Sequence, residues 1–180
     1  MIVLPGCFSC WYIKMPKRQE FLANNYYHVY NRWRYRQELF HDWKDFQRFL
    51  WYMDIYKEKC KEDIWLIAYS ILPNHFHFVI YCKSDSYKLS YFIWNICASY
   101  VRYYKAKYTW DKWISFFESR FKAKLLDTED YLNQCIRYVE FNALKHWVVD
   151  DIDQRPFTSF DKNKSKTPYD EILSLDWEFS

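Results

Sequence analysis

The run from Ile64 to Cys82 constrains this chain more than any other stretch. It is apolar, rich in β-branched and aromatic residues, and interrupted by Pro73-Asn74, a dipeptide that turns the backbone. The pattern predicts a hairpin with arms Ile64–Leu72 and His75–Cys82. The first arm is so continuously apolar that it reads as a central strand buried on both faces. His75 and His77 lie two apart on the second arm, and such residues share a strand face. Both imidazoles then point one way, while Phe76, Phe78 and Ile80 point the other. Two neighbouring imidazoles can seat one divalent cation between them; they also suit a solvated strand face.

A chain of 180 residues would ordinarily carry about thirteen glycines, yet Gly6 is the single one. Turns must therefore be built from Asn, Asp and Pro, and a glycine-cradled phosphate site is excluded. The length suits one domain, and 51% hydrophobic and 24% aromatic residues exclude disorder for most of it. A formal charge of +3 permits a nucleic-acid partner without demanding one. Cys60, Cys82, Cys97 and Cys135 lie in apolar or helical stretches with no secretory signal ahead of them. They read as reduced, buried thiols of a cytoplasmic protein. Cys7-x-x-Cys10 is half of a zinc motif without its second half. No apolar run reaches the roughly 18 residues that span a membrane. Met15-Pro16-Lys17-Arg18 resembles a second start, so residues 1–14 read as an N-terminal extension, 15–160 as the domain, and 161–180 as a polar tail.

Tyr26–Arg32 alternates like a strand, and Asp42 can cap a helix whose buried stripe is Trp43, Phe46, Leu50 and Met53. A second helix, opened by Asp85 or Ser86, carries Leu89, Phe92, Ile93, Ile96, Tyr100 and Tyr103 at helical spacing. Ile114–Leu126 alternates again, and Thr128, with Glu129 and Asp130 behind it, starts a third helix running to about Val149. The order predicts an α+β fold: a ferredoxin-like β-α-β-β-α-β antiparallel sheet with an added C-terminal helix.

On that last helix the apolar stripe is Leu132, Ile136, Val139, Ala143 and Trp147. Tyr138 falls roughly 140° from its centre, off the helix's own core face, with Asn142 one turn along the same side. The pair offers a phenol and an amide oxygen to whatever covers that face, such as a sheet bearing His75 and His77. A phenol is a poor nucleophile at neutral pH, and a divalent metal beside it makes its oxyanion easier to form. Two imidazoles and an amide carbonyl leave sites open for phosphate oxygens, which suits Mg²⁺ or Mn²⁺. Any one of eighteen tyrosines is most often packing.

Arg120, Lys122 and Lys124 alternate with Phe121, Ala123 and Leu125, and Arg32, Arg34 and Arg36 repeat the pattern after the first strand. Such rows track a phosphate backbone with nearby aromatics stacking on unpaired bases, or they are ordinary solvated edges. Tyr100, Tyr103, Tyr104 and Tyr108 read as helix packing, and His28 and His41 as structural. His146, one turn past Asn142, either caps the helix end or approaches the metal.

Taken in order, these segments resemble the small single-tyrosine HUH transposases of bacterial insertion sequences and their REP-associated relatives. The similarity runs from about Lys17 to Phe160. It is carried by Tyr27-His28-Val29-Tyr30-Asn31-Arg32, by Phe40-His41-Asp42 through Phe49-Leu50, and by Leu72-Pro73-Asn74-His75-Phe76-His77. Arg120-Phe121-Lys122-Ala123-Lys124, Asp130-Tyr131-Leu132, Arg137-Tyr138-Val139-Glu140-Phe141-Asn142 and Arg155-Pro156-Phe157-Thr158-Ser159-Phe160 complete it.

The resemblance implies a metal-dependent strand transferase acting on single-stranded or hairpin DNA. In it His75, His77 and Asn142 hold Mg²⁺ or Mn²⁺, and Tyr138 on the added helix is the nucleophile of a 5′-phosphotyrosine intermediate. It leaves open a monomer or a homodimer in which that helix serves the partner's site. The family usually has glycine where this chain has Trp33, a Gly-aromatic turn where it reads Lys112 through Phe117, and proline at Ala143. Bulk at the former glycine positions would crowd DNA approach or a turn with φ > 0. The alternative is an inactive or domesticated nucleic-acid-binding relative on the same scaffold.

Overall fold

The computed structural model describes residues 20–84, 87–108, 116–145 and 157–159, with backbone alone for 143–145. The elements in chain order are β1 (Asn25–Arg32), α1 (Trp43–Lys59), β2 (Ile64–Leu72), β3 (His75–Cys82), α2 (Tyr87–Tyr108), β4 (Lys122–Leu126) and α3 (Glu129–Lys145). The strands form one antiparallel sheet in the order β2-β3-β1-β4. This is the ferredoxin-like β-α-β-β-α-β arrangement with α3 added, as the sequence predicts.

Local chemistry sets the element ends. Asp42 caps α1 in a full capping box: its side chain accepts from the Asp45 amide, while the Asp45 side chain accepts from that of Asp42. Thr128 accepts from the Tyr131 amide at the start of α3. The Pro73-Asn74 turn is held by the chain before α1. The Pro73 carbonyl accepts from Leu39 and Phe40, and that of Asn74 from Trp33. With glycine so scarce, left-handed backbone falls on Asn24, Tyr35 and Arg36.

One face of the sheet carries Tyr27, Val29, Ile64, Ile71, Phe76, Phe78 and Ile80, all buried under α1 and α2. α1 contributes Phe46, Phe49 and Met53; of the others predicted for this stripe, Trp43 is exposed and Leu50 half-buried. α2 contributes Leu89, Phe92, Ile93, Ile96, Tyr100 and Tyr104, with Tyr103 at the margin. At the open ends of α1 and α2, the fully buried Asp45 accepts from Tyr103, Tyr108 and Lys107. Burial alone would raise its carboxyl, but the bonds from Lys107, Tyr108, the His41 amide and Tyr103 outweigh it and hold the group below its ordinary value. The α2 tyrosines are thus packing, and His41, bonded to Tyr104 at 2.7 Å, is structural.

Three expectations change. β2 is an edge strand, not a central one, and Trp65 on it is 52% exposed. Its free edge is partly closed by residues 157–159: the Ile71 amide donates to the Phe157 carbonyl at 2.7 Å, and the Ser159 amide to that of Tyr69 at 2.9 Å. Phe157 then stacks on Phe46, ring centres 3.9 Å apart. Within the predicted strand Ile114–Leu126 only Lys122–Leu126 is strand; residues 114 and 115 lie outside the described residues, and Phe116 is buried against Trp33. Trp33 itself is extended (φ −70°) and 2% exposed, so no glycine is needed there, and its bulk fills a ring cluster with Tyr104, Phe116 and Phe117.

The described end of α3 is Lys145, so its predicted extension to Val149, together with His146, lies outside the described residues, as do the flanking segments 1–14 and 161–180. Among the described residues Cys60, Cys82 and Cys135 are buried as expected, Cys97 is half-buried, and none of the four is in a disulfide. No described helix is long and apolar enough to cross a membrane.

Candidate active site

Strand register assembles the other face of the sheet. Residues directly opposed in antiparallel strands share a face, and the pairings His75–Arg32, His77–Tyr30 and Val79–His28 put β1's even-numbered residues beside the histidines. β4 extends the rows, with Lys122 opposite Tyr30 and Lys124 opposite His28. On β2 a bulge between Leu66 and Ala68 reverses the strand's parity, so Ser70 opposes His77 and Leu72 opposes His75. The apolar face thus has a polar counterpart: histidines in the middle, cations toward the β4 edge, a buried serine toward β2.

α3 crosses this face. Cys135, Tyr138 and Val139 pack on Ala68, Val79 and Leu126 in a second, smaller cluster. Tyr138 therefore belongs to the covered side of α3, contrary to the expectation that it stood off the helix's core face. The covered side is mixed, because half of what it meets is polar, and apolar periodicity alone mislocates its centre. The Tyr138 ring stands edge-on to His77 (centroids 5.5 Å, 89°) and to His28 (6.0 Å, 80°). His75 and His77 rings lie 5.1 Å apart. The predicted histidines and phenol meet within one chain.

The protonation of His75 follows from its neighbours. Asn74 Nδ2 donates to the Arg36 carbonyl, which orients the amide so that its oxygen faces His75 Nδ1. An amide oxygen only accepts, so Nδ1 carries a proton, and in the neutral tautomer the lone pair lies on Nε2. His77 Nδ1 is 2.9 Å from His28 Nε2. Burial, with help from Lys124, lowers the His28 pKa to about 4, so the ring is neutral at physiological pH. Sequence reasoning assigned His28 a structural part and passed over Tyr30 and Ser70; only the pairing register reveals all three.

Burial pushes the Tyr138 phenol above its ordinary value and the Cys135 thiol adds to this; the Asn142 amide and the Arg32 guanidinium pull back without cancelling it. Asn142 is 1% exposed, and neither its Oδ1 nor its Nδ2 makes a hydrogen bond of ordinary geometry. A buried amide in that condition calls for a partner. The donor types present, two imidazoles and an amide oxygen, fit a divalent cation. Among the described residues, no three His, Cys, Asp or Glu side chains converge on a metal position, so the fit depends on the amide.

The basic residues divide. Lys122 and Lys124 are exposed on the same face as the histidines, and Arg32 is exposed opposite His75. Arg34 and Arg36 occupy a 3₁₀ turn with Tyr35 and Arg36 left-handed, so the predicted alternating row stops at Arg32. Arg120 is exposed just ahead of β4 rather than on it.

Sheet order and the equipment of its two faces define a ferredoxin-like α+β protein with one apolar and one polar face. Residues 22–142 match the family described as Transposase IS200 like, and the chain belongs to that family. A transposase role follows from that membership. No curated protein matches the chain. Among solved structures, a REP-associated tyrosine transposase bound to a REP hairpin superposes with a TM-score of 0.59 at 15% identity, covering 81% of this chain and 82% of that one, and shares the fold. A candidate transposase from Deinococcus radiodurans R1 gives a TM-score of 0.40 at 15% identity over 70% of this chain and 96% of its own, too loose a likeness to build on.

Proposed function

We propose that this transposase is a metal-dependent strand transferase that cleaves and rejoins single-stranded DNA through Tyr138. The observation that carries the reading is the edge-on meeting of the Tyr138 ring with His77, one helical turn from the buried Asn142 amide. His75, His77 and Asn142 would hold Mg²⁺ or Mn²⁺, which when bound polarises a phosphoryl oxygen and favours the phenolate.

The chain's own groups supply the rest. The Tyr138 oxygen attacks phosphorus of a phosphodiester; the P–O bond to the deoxyribose 3′ oxygen breaks and a 5′-phosphotyrosine ester forms. The phenol loses its proton and the departing 3′ oxygen gains one. A 3′-hydroxyl of another strand reverses the exchange and regenerates the phenol, so the phosphodiester energy is conserved and no nucleotide cofactor is consumed. Arg32 sits where it stabilises negative charge at Tyr138, and Lys122 and Lys124 offer a phosphate track along the open edge. The hairpin in the REP-associated transposase complex supports hairpin DNA as the substrate form. Phenol and histidines lie on one chain, so this reading draws on no group of a partner copy.

The test is incubation with Mn²⁺ and end-labelled single-stranded hairpin DNA, followed by denaturing electrophoresis. A slow-migrating adduct is expected, absent in Tyr138→Phe. DNA binding without any adduct, or an adduct that survives the substitution, overturns the proposal.

A further inference from the structure

We infer that His28 is a positioning residue that sets the tautomer and ring plane of His77. The inference rests on the functional reading above in taking His77 as a ligand. The His28 and His77 rings are 5.1 Å apart and 18° from parallel, with Nε2 of one 2.9 Å from Nδ1 of the other. Across this single nitrogen–nitrogen contact only one of the two rings can donate. If His28 donates, the proton of His77 sits on Nε2 and the lone pair on Nδ1 is already engaged, so His77 has nothing left for a cation. If His77 donates, its lone pair lies on Nε2, and His28 carries its own proton on Nδ1. Only the second arrangement makes His77 a ligand.

Packing holds His28 in place for this. It is 2% exposed, with the Tyr30 ring at 5.1 Å and the Tyr138 ring at 6.0 Å. Its Nε2 is engaged by His77, and no triad of ligating side chains forms among the described residues, so it is not itself a third ligand. The two imidazoles then have matching supports: the Asn74 amide oxygen orients His75, and His28 orients His77. Partners of this outer kind typically change metal affinity by about 10–100-fold when removed.

Two measurements on the full chain decide it. In the metal-free protein, two-bond ¹⁵N–¹H spectra of the histidines should show His77 protonated on Nδ1 and His28 on Nδ1. In Mn²⁺ calorimetry, His28→Phe should weaken binding about 10–100-fold, and His28→Gln, whose amide oxygen can accept from His77, should recover most of it. His77 protonated on Nε2, or a His28→Phe protein that binds Mn²⁺ like the parent, overturns the inference. If His28→Phe does not fold, the tautomer in the unaltered chain and the Gln variant give the answer. A parent protein that takes up no Mn²⁺ sinks the functional reading, while its His77 tautomer still decides for or against His28.

Discussion

The two faces of the sheet are built from the same strands and differ in nearly every property. Under α1 and α2 lie Phe76, Phe78, Ile80, Val29 and Ile71, packed on Phe49 and Tyr100. Across the backbone, one residue away in each case, lie His75, His77, His28, Tyr30 and Ser70. The first face needs two helices because it holds the apolar area that drives folding. Among the described residues the second is covered by α3, whose cluster with Ala68, Val79 and Leu126 is small. On the proposed function this polar face must admit DNA and cannot be roofed, which would place stability on one side and chemistry on the other.

That division can be broken by substitution. The largest expected effect is on the reactive side: Tyr138→Phe should abolish the covalent adduct while urea unfolding shifts by less than about 1 kcal/mol, since one hydroxyl is lost and the ring stays. On the structural side, Phe49→Ala should cost about 3–5 kcal/mol in the same unfolding measurement, while adduct formation by the folded fraction persists. An Asp45→Ala change, which removes a cap and bonds to Lys107, Tyr103 and Tyr108, should cost about 3 kcal/mol at neutral pH.

The sign with pH follows from direction. The Asp45 carboxyl is held low in the fold, so its contribution is complete above the unfolded value near 3.9 and is lost as pH falls through the lower folded value. The Lys107 ammonium is raised, burial notwithstanding, by its bonds to Asp42 and Asp45, so its share persists below about 10.5 and fades at higher pH. The gap between parent and Asp45→Ala should therefore be flat through neutrality and close in strong acid. The smallest effect sharpens the reactive side: Lys122→Ala and Lys124→Ala should each flatten the salt dependence of single-stranded DNA binding by about 0.7 in the log–log slope, with little change in unfolding.

What the sequence disclosed was what is local. The hairpin at Pro73-Asn74, the caps at Asp42 and Thr128 and the shared face of His75 and His77 depend on residues within a few positions of one another. The edge position of β2 was not legible, because Ile64–Leu72 is apolar whether it is covered by neighbouring strands or by α3 and residues 157–159. The parity change at its bulge likewise leaves no mark in the hydropathy pattern. Tyr138 was misplaced for a related reason: a helix face that meets histidines is itself partly polar, so an apolar stripe is a poor guide to it. His28 is diagonal to His77 across β1 and β3, and a diagonal contact appears only once register is known.

The short segment at 157–159 has a consequence for how the molecule is made. It hydrogen-bonds to β2, and Thr158 and Ser159 reach Glu140 on α3 at 2.9 and 3.3 Å. During synthesis the helix bearing the phenol leaves the ribosome before the latch that ties it to the sheet. A nascent polypeptide halted short of Phe157 has the sheet and α3 in full but lacks that fastening, so a segment translated after both is the one that makes their packing durable.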